Sequence, residues 1–181
     1  MLLVVDNGSV YTNSIIECLK EIKINYRHVL FDKITESDIE DSSSIVLSGR
    51  RQNDSMMNAT NSKLIRYCLA KKKPLLGICY GAEILAITLG GTIKKMAVPR
   101  HGIHEVTVTQ DNFLCKGKVH AFESHSYKIA TLDTSFSVLA SSDACRFEIF
   151  RYGDENIFGT QFHPEMSYDG KNLLKSFTSI K

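Results

Sequence analysis

A chain of 181 residues, 43% hydrophobic and 23% charged, is long enough to bury one substantial core and short for two. Its 22 basic and 20 acidic residues leave a net charge of +2, which offers no electrostatic attraction for nucleic acid. No apolar run reaches the ~18 residues of a membrane span, and "MLLVVDNG" meets an acid at Asp6 without the basic start of a secretory leader. Five cysteines (18, 68, 79, 115, 145) form no C-x-x-C pair and are odd in number, which predicts a reduced, cytoplasmic setting.

The first half alternates in period. "LLVV" (2–5), "YRHVLF" (26–31), "SIVL" (44–47) and "PLLGI" (74–78) are short runs of strand formers. Between the first two, Ile15, Ile16, Leu19 and Ile22 recur at helical spacing; Leu64, Ile65, Cys68 and Leu69 do so between the last two. Thr12 or Asn13 is a candidate cap for the first helix, Asn61 or Ser62 for the second, and "KKK" (71–73) marks a solvated helix end. Strand–helix–strand repeats of this length predict a parallel sheet with helices on both faces. After Gly90–Gly91, "HEVTVTQ" (104–110), "FSVLASS" (136–142), "RFEIFRY" (146–152) and "NIFGTQF" (156–162) read as strands with short connections, an antiparallel or mixed extension. Leu173, Leu174 and Phe177 share one face of a closing helix. The expected fold is a three-layer α/β/α sandwich around a mixed, largely parallel sheet with a flavodoxin-like core.

"PLLGICYGAEI" (74–84) places Cys79 between Gly77 and Gly81, where an apolar strand gives way to a helix. A nucleophile on such a strand–turn–helix corner gains from the helix N-terminus, which lowers a thiol pKa and supplies free N–H groups for an oxyanion. A buried structural cysteine fits the same stretch equally well. In "GTQFHPEMS", His163 follows a strand and Glu165 stands two residues on, on the same side of an extended segment. Glu165 can then fix the His163 tautomer while His163 exchanges a proton with Cys79, the logic of covalent acyl transfer. A sheet-end histidine paired with an acid for stability is the plain alternative. His101 and His104 are separated by Gly102, which argues for a loop, and no third ligand has telling spacing, so no metal site is expected. "FESHSYK" offers Ser124, His125, Ser126 and Tyr127 as a polar loop tip, either a contact for a small polar substrate or a surface turn. "VLSGRRQND" ends the third strand, where the Gly49–Arg50 backbone is a candidate second oxyanion donor; Arg50 and Arg51 fit solvated loop charges just as well.

Taken together, "GICYG" and "TQFHPE" resemble the nucleophile elbow and the His–Glu motif of the class I glutamine amidotransferases, and the resemblance runs over almost the whole chain. It implies one glutaminase domain over residues 1–181, with Cys79 as nucleophile, His163 as base and Glu165 as orienting acid. Within the family, "VDNGSVYT", the Arg100–Glu105 segment of "PRHGIHEV", "SHSY", "SSDACRFEIF" and "MSYDGKNLLKSF" are most similar to the glutaminase part of GMP synthase. Glutaminases of anthranilate, aminodeoxychorismate, carbamoyl-phosphate and imidazole-glycerol-phosphate synthesis share the core. Two positions depart from the family pattern. Ser48–Gly49–Arg50–Arg51 stands where Ser–Gly–Gly–Pro is usual, so Arg50 would inherit the oxyanion N–H, at about 1 kcal/mol if it had to be left-handed. Glu83 replaces the usual substrate-contacting glutamine, where a carboxylate would either repel the carboxylate of glutamine or grip its α-ammonium.

The implied reaction is hydrolysis of glutamine to glutamate and ammonia, with Tyr80 and Arg50 N–H groups on the oxyanion and with Ser124–Tyr127 and Glu83 around the substrate. No Gly-rich phosphate loop precedes a Lys–Ser or Lys–Thr pair, so no cofactor is expected in this chain. ATP and Mg2+ are expected on a separate synthetase (ATP-pyrophosphatase) subunit of GMP synthase, which would use the ammonia to aminate XMP. The competing expectations are a glutaminase for another synthetase, a stand-alone Cys-dependent peptidase-like or γ-glutamyl hydrolase, and a catalytically silent regulatory subunit.

Overall fold

The computed structural model describes residues 1–180. Strands β1 (Leu2–Asn7), β2 (Tyr26–Leu30), β3 (Ser44–Arg50) and β4 (Leu75–Ile78) alternate with helices α1 (Thr12–Glu21), α2 (Glu36–Glu40) and α3 (Ser55–Lys71), and α4 (Tyr80–Thr88) follows β4. Five further strands come next: β5 (Thr92–Val108), β6 (Lys118–Thr131), β7 (Phe136–Ser141), β8 (Ile149–Tyr152) and β9 (Ile157–Thr160). A 3₁₀ turn at Pro164–Met166 and helix α5 (Tyr168–Thr178) close the described chain. All nine strands join one sheet in the order β2-β1-β3-β4-β9-β8-β7-β5-β6. The β2-β1-β3-β4-β9 side is parallel and the β9-β8-β7-β5-β6 side antiparallel.

Period-two alternation divides the core. Leu2, Val4, Val46, Leu76 and Ile78 pack with Ile15 and Leu19 of α1 and Leu173, Leu174 and Phe177 of α5. Leu3, Val5, Ile45, Leu47 and Leu75 face the other way, onto Met57, Leu64, Ile65 and Cys68 of α3 and Leu85 of α4. These strands are buried on both faces, so they read as unbroken apolar runs, and each buried Leu, Ile or Val contributes about 1.5–3 kcal/mol. The result is the expected three-layer arrangement.

The helix starts differ from expectation. Tyr11 occupies the cap position of α1 and no side chain caps it, because the Thr12 hydroxyl instead donates to Asp6 (2.9 Å). Helix α3 starts almost two turns before Asn61 and Ser62: Asp54 is its cap, accepting the Met57 N–H at 2.7 Å. Asn61 is a buried mid-helix residue that donates to the Asn7 side chain (2.8 Å) and the Met57 carbonyl (2.8 Å). Asn7 in turn donates to the Ser48 carbonyl (3.0 Å) and its N–H reaches the Ser48 hydroxyl (2.9 Å), tying β1, β3 and α3 together with every amide used.

The antiparallel side departs further. β5 begins at Thr92, well before "HEVTVTQ", and includes the His101–His104 stretch expected to be a loop. Its register with β6 breaks between Lys95 and Arg100, so Pro99 sits in a bulge where its missing N–H costs no ladder bond. "FESHSYK" is the middle of β6, with Ala121, Glu123 and His125 buried at alternate positions, and so forms neither a loop tip nor a turn. Two polar residues on the buried face hid the period from sequence reading.

Candidate active site

Strands β4 and β9 lie side by side in parallel, so whatever follows their C-terminal ends meets at one edge. Cys79 follows β4 and His163 follows β9; the Cys79 N–H donates to the Thr160 carbonyl at 2.8 Å. Cys79 has φ +52° and ψ −104°, a strained conformation for a side-chain-bearing residue, costing on the order of 1–3 kcal/mol. The corner is this tight because both flanking residues are glycine. A Cβ on Gly77 would overlap the Gly81 backbone, and one on Gly81 would overlap the Leu47 carbonyl. Tyr80 opens α4 directly behind Cys79, so the first-turn amides, which lack intrahelical acceptors, belong to this corner.

His163 is 2% exposed and Glu165 1% exposed; the ring Nδ1–H donates to Glu165 Oε1 at 2.8 Å. Burial opposes the charged imidazole, yet the Cys79 sulfur and the Glu165 carboxylate outweigh it and hold His163 well above the ordinary histidine value. The structure therefore brings Cys79, His163 and Glu165 together as the sequence predicted. Gly49 belongs to the same cluster, since a Cβ there would stand 3.0 Å from His163 Cε1.

Arg50 is the last residue of β3, in register with Asn7 and bridged to Gly8. Its φ is negative, so the left-handed conformation and its cost do not arise. Its side chain is fixed: the guanidinium lies 4.2 Å from the Tyr80 ring centroid and bonds Asn53, while the Tyr80 hydroxyl donates to Asn58 at 2.8 Å. Arg51 is exposed, as a solvated charge would be. Glu83, 5% exposed, lines the same cleft; burial raises its carboxyl pKa, with Arg50, His125 and the Gln161 side chain opposing.

The opposite wall comes from β6. Ser124, His125, Ser126 and Tyr127 line a cleft of about 950 Å³ shared with Cys79, Tyr80, Glu83 and Arg50. The Cys79 sulfur lies 4.0 Å from the Ser124 carbonyl oxygen. Although β6 is the far edge of the sheet, the His163 N–H donates to the Phe122 carbonyl at 2.8 Å, so this strand is fastened to the histidine itself. Sequence reasoning missed Tyr11. Its hydroxyl donates to Ser124 Oγ (3.2 Å) and its ring meets His163 edge-on at 4.6 Å between centroids. The signal was its place in "VDNGSVYT", immediately after the first strand's turn.

Residues 3–179 match the profile of glutamine amidotransferase class-I. The separate glutamine-hydrolyzing subunit of GMP synthase from Methanocaldococcus jannaschii is 29% identical over 99% of this chain and 97% of its own length. Its namesake from Pyrococcus furiosus is 30% identical, with 99% and 98% covered. Among solved structures, a Thermoplasma acidophilum protein assigned as the same component of GMP synthase superposes with a TM-score of 0.86 at 28% identity, covering 97% of this chain and 90% of that one. With the profile spanning nearly all of the sequence, the chain belongs to the class-I glutamine amidotransferase family.

Proposed function

We propose that this chain hydrolyses glutamine with Cys79, His163 and Glu165 and supplies the ammonia to an ATP-dependent synthetase subunit of GMP synthase. The observation that carries the reading is the Cys79 corner set beside the buried His163–Glu165 pair. Cys79 Sγ attacks the side-chain amide carbon of glutamine, and its proton passes to His163. The carbonyl oxygen takes up negative charge, met by the Tyr80 N–H and by an N–H of the Gly49–Arg50 segment. As the C–N bond breaks, His163 returns the proton to the departing ammonia. Water, deprotonated by His163, then cleaves the thioester, releasing glutamate and restoring the thiol. Glu165 keeps the Nδ1 proton in place throughout, so the other ring nitrogen does the work.

Glu83 and the Ser124–Tyr127 strand bind the amino-acid end of the substrate, with Glu83 suited to its α-ammonium. The synthetase partner follows from the likeness to the separate glutamine-hydrolyzing subunits over their full length. That partner holds ATP and Mg2+, and the acceptor is XMP.

Ammonia release from glutamine, measured with and without the ATP-using subunit of a GMP synthase, tests the proposal. Turnover should rise on adding the partner and fall at least ~10⁴-fold in Cys79→Ala, with the fold retained by circular dichroism. A reactive glutamine analogue should label wild type at Cys79 and leave the variant unlabelled. Absence of both turnover and labelling with the partner present would overturn the reading.

A further inference from the structure

The triad leaves a second buried set of ionisable groups unused. Glu123 in β6 and Glu148 just ahead of β8 are both fully buried carboxylates. His125 Nε2 meets Glu123 Oε2 at 2.6 Å, and the Ser142 hydroxyl donates to Glu148 Oε1 at 2.6 Å. The two remaining oxygens, Glu123 Oε1 and Glu148 Oε2, are buried with no other partner, and the two side chains adjoin. Arg100 of β5 stands 3.7 Å from Glu123 Oε1, too far for a hydrogen bond. Cys145 lies at the edge of the pair, and Lys128 at its rim is held on the Ala144 carbonyl. From α4, Glu83 faces His125. Two adjoining buried carboxylates with one offset cation cannot both be ionised, and one proton between them satisfies both orphaned oxygens.

The other end of this set reaches the cleft. His125 Nδ1–H donates to the Tyr127 carbonyl at 2.7 Å, which fixes the backbone of the strand lining the cleft opposite Cys79. We propose that Glu148 and Glu123 share one proton and, through His125, form a positioning network that holds the Ser124–Tyr127 wall against the nucleophile. Burial and the adjoining Glu123 carboxylate push Glu148 up to about 8, so the shared proton is present at neutral pH and leaves in mild alkali. Loss of that proton puts two like charges together behind His125 and loosens the wall, while the Cys79–His163–Glu165 cluster is untouched. This rests on the glutaminase reading only for what the cleft binds.

Two measurements test the network. In wild type, the His125 ring resonances, assigned with ¹⁵N-labelled histidine and His125→Gln, should shift with a midpoint near 8. That inflection should vanish in Glu148→Gln, whose amide supplies the same hydrogen bond without titrating. In glutamine hydrolysis, wild-type KM should rise about tenfold between pH 7 and pH 9 with a smaller change in kcat. Glu148→Gln should flatten the rise, and Glu148→Leu should carry the raised KM at every pH. A His125 spectrum with no inflection near 8, or a Glu148→Gln pH profile that superposes on wild type, overturns the proposal. If no glutamine is turned over with any partner, the functional reading fails and the resonance measurement still decides the network.

Discussion

The two walls of the cleft are built on opposite plans. The wall at the ends of β4 and β9 is made of backbone geometry: an apolar parallel sheet, two glycines without room for a Cβ, and a cysteine forced to positive φ. The β6 wall is made of side-chain electrostatics: Glu123, His125, Glu148 and Arg100 are buried together, and the strand is placed by their hydrogen bonds. Rigid packing has no titratable parameter, whereas a buried polar network holds its shape only while its protons stay in place. One wall is suited to orient a reacting atom and the other to respond to conditions.

Substitutions separate these plans. The largest effect is expected from Glu165→Gln, which leaves the backbone wall in place and releases the His163 tautomer: kcat for glutamine should fall about 10²–10⁴-fold in steady-state assays, with KM little changed. Gly49→Ala perturbs the same wall by shape alone. Its Cβ would press on His163 Cε1, and kcat should fall about tenfold, with slower alkylation of Cys79 by iodoacetamide. On the polar side, Glu83→Gln should raise glutamine KM by less than about tenfold with kcat nearly unchanged, since an amide keeps one acceptor for the substrate ammonium.

The smallest change is expected in stability. The Glu148 carboxyl, ordinarily near 4.5, keeps its proton in the fold up to about 8. Folding therefore takes up a proton between these values, and the stability Glu148 contributes is full below 4.5 and lost as pH rises to about 8. Gln at this position does not titrate, so thermal melts should show Glu148→Gln gaining on wild type from pH 5 to pH 8, by a few kcal/mol at most. Equal changes in both melting curves would mean that Glu148 is not held neutral.

Legibility in the sequence follows the same division. The parallel strands announce themselves because burial on both faces leaves "LLVV", "SIVL" and "PLLGI" without polar interruption. Cys79, His163 and Glu165 were legible because each lies within a few residues of a strand end and the sheet order brings those ends together. Strand β6 was illegible for the opposite reason. "FESHSYK" carries charged residues at its inward positions, tolerated only because partners from β5, the β7–β8 connection and β8 are brought there by the fold. The first-turn caps failed on competition: Thr12 and Asn61 have good capping side chains, but Asp6 and Asn7 offered them long-range partners. Arg50 read as either a loop charge or an oxyanion residue, and its stacking on Tyr80 comes from a residue thirty places on.

The hydrogen bond from His163 to Phe122 has a consequence for how the protein is made. During synthesis the cysteine corner emerges first, the β6 wall follows, and the histidine comes last of the three. Until β9 inserts beside β4 and its following residue catches Phe122, neither wall has its counterpart and the cysteine has no base. A nascent or truncated chain is thereby kept chemically quiet, and the thiol becomes reactive only in a molecule whose sheet is already closed.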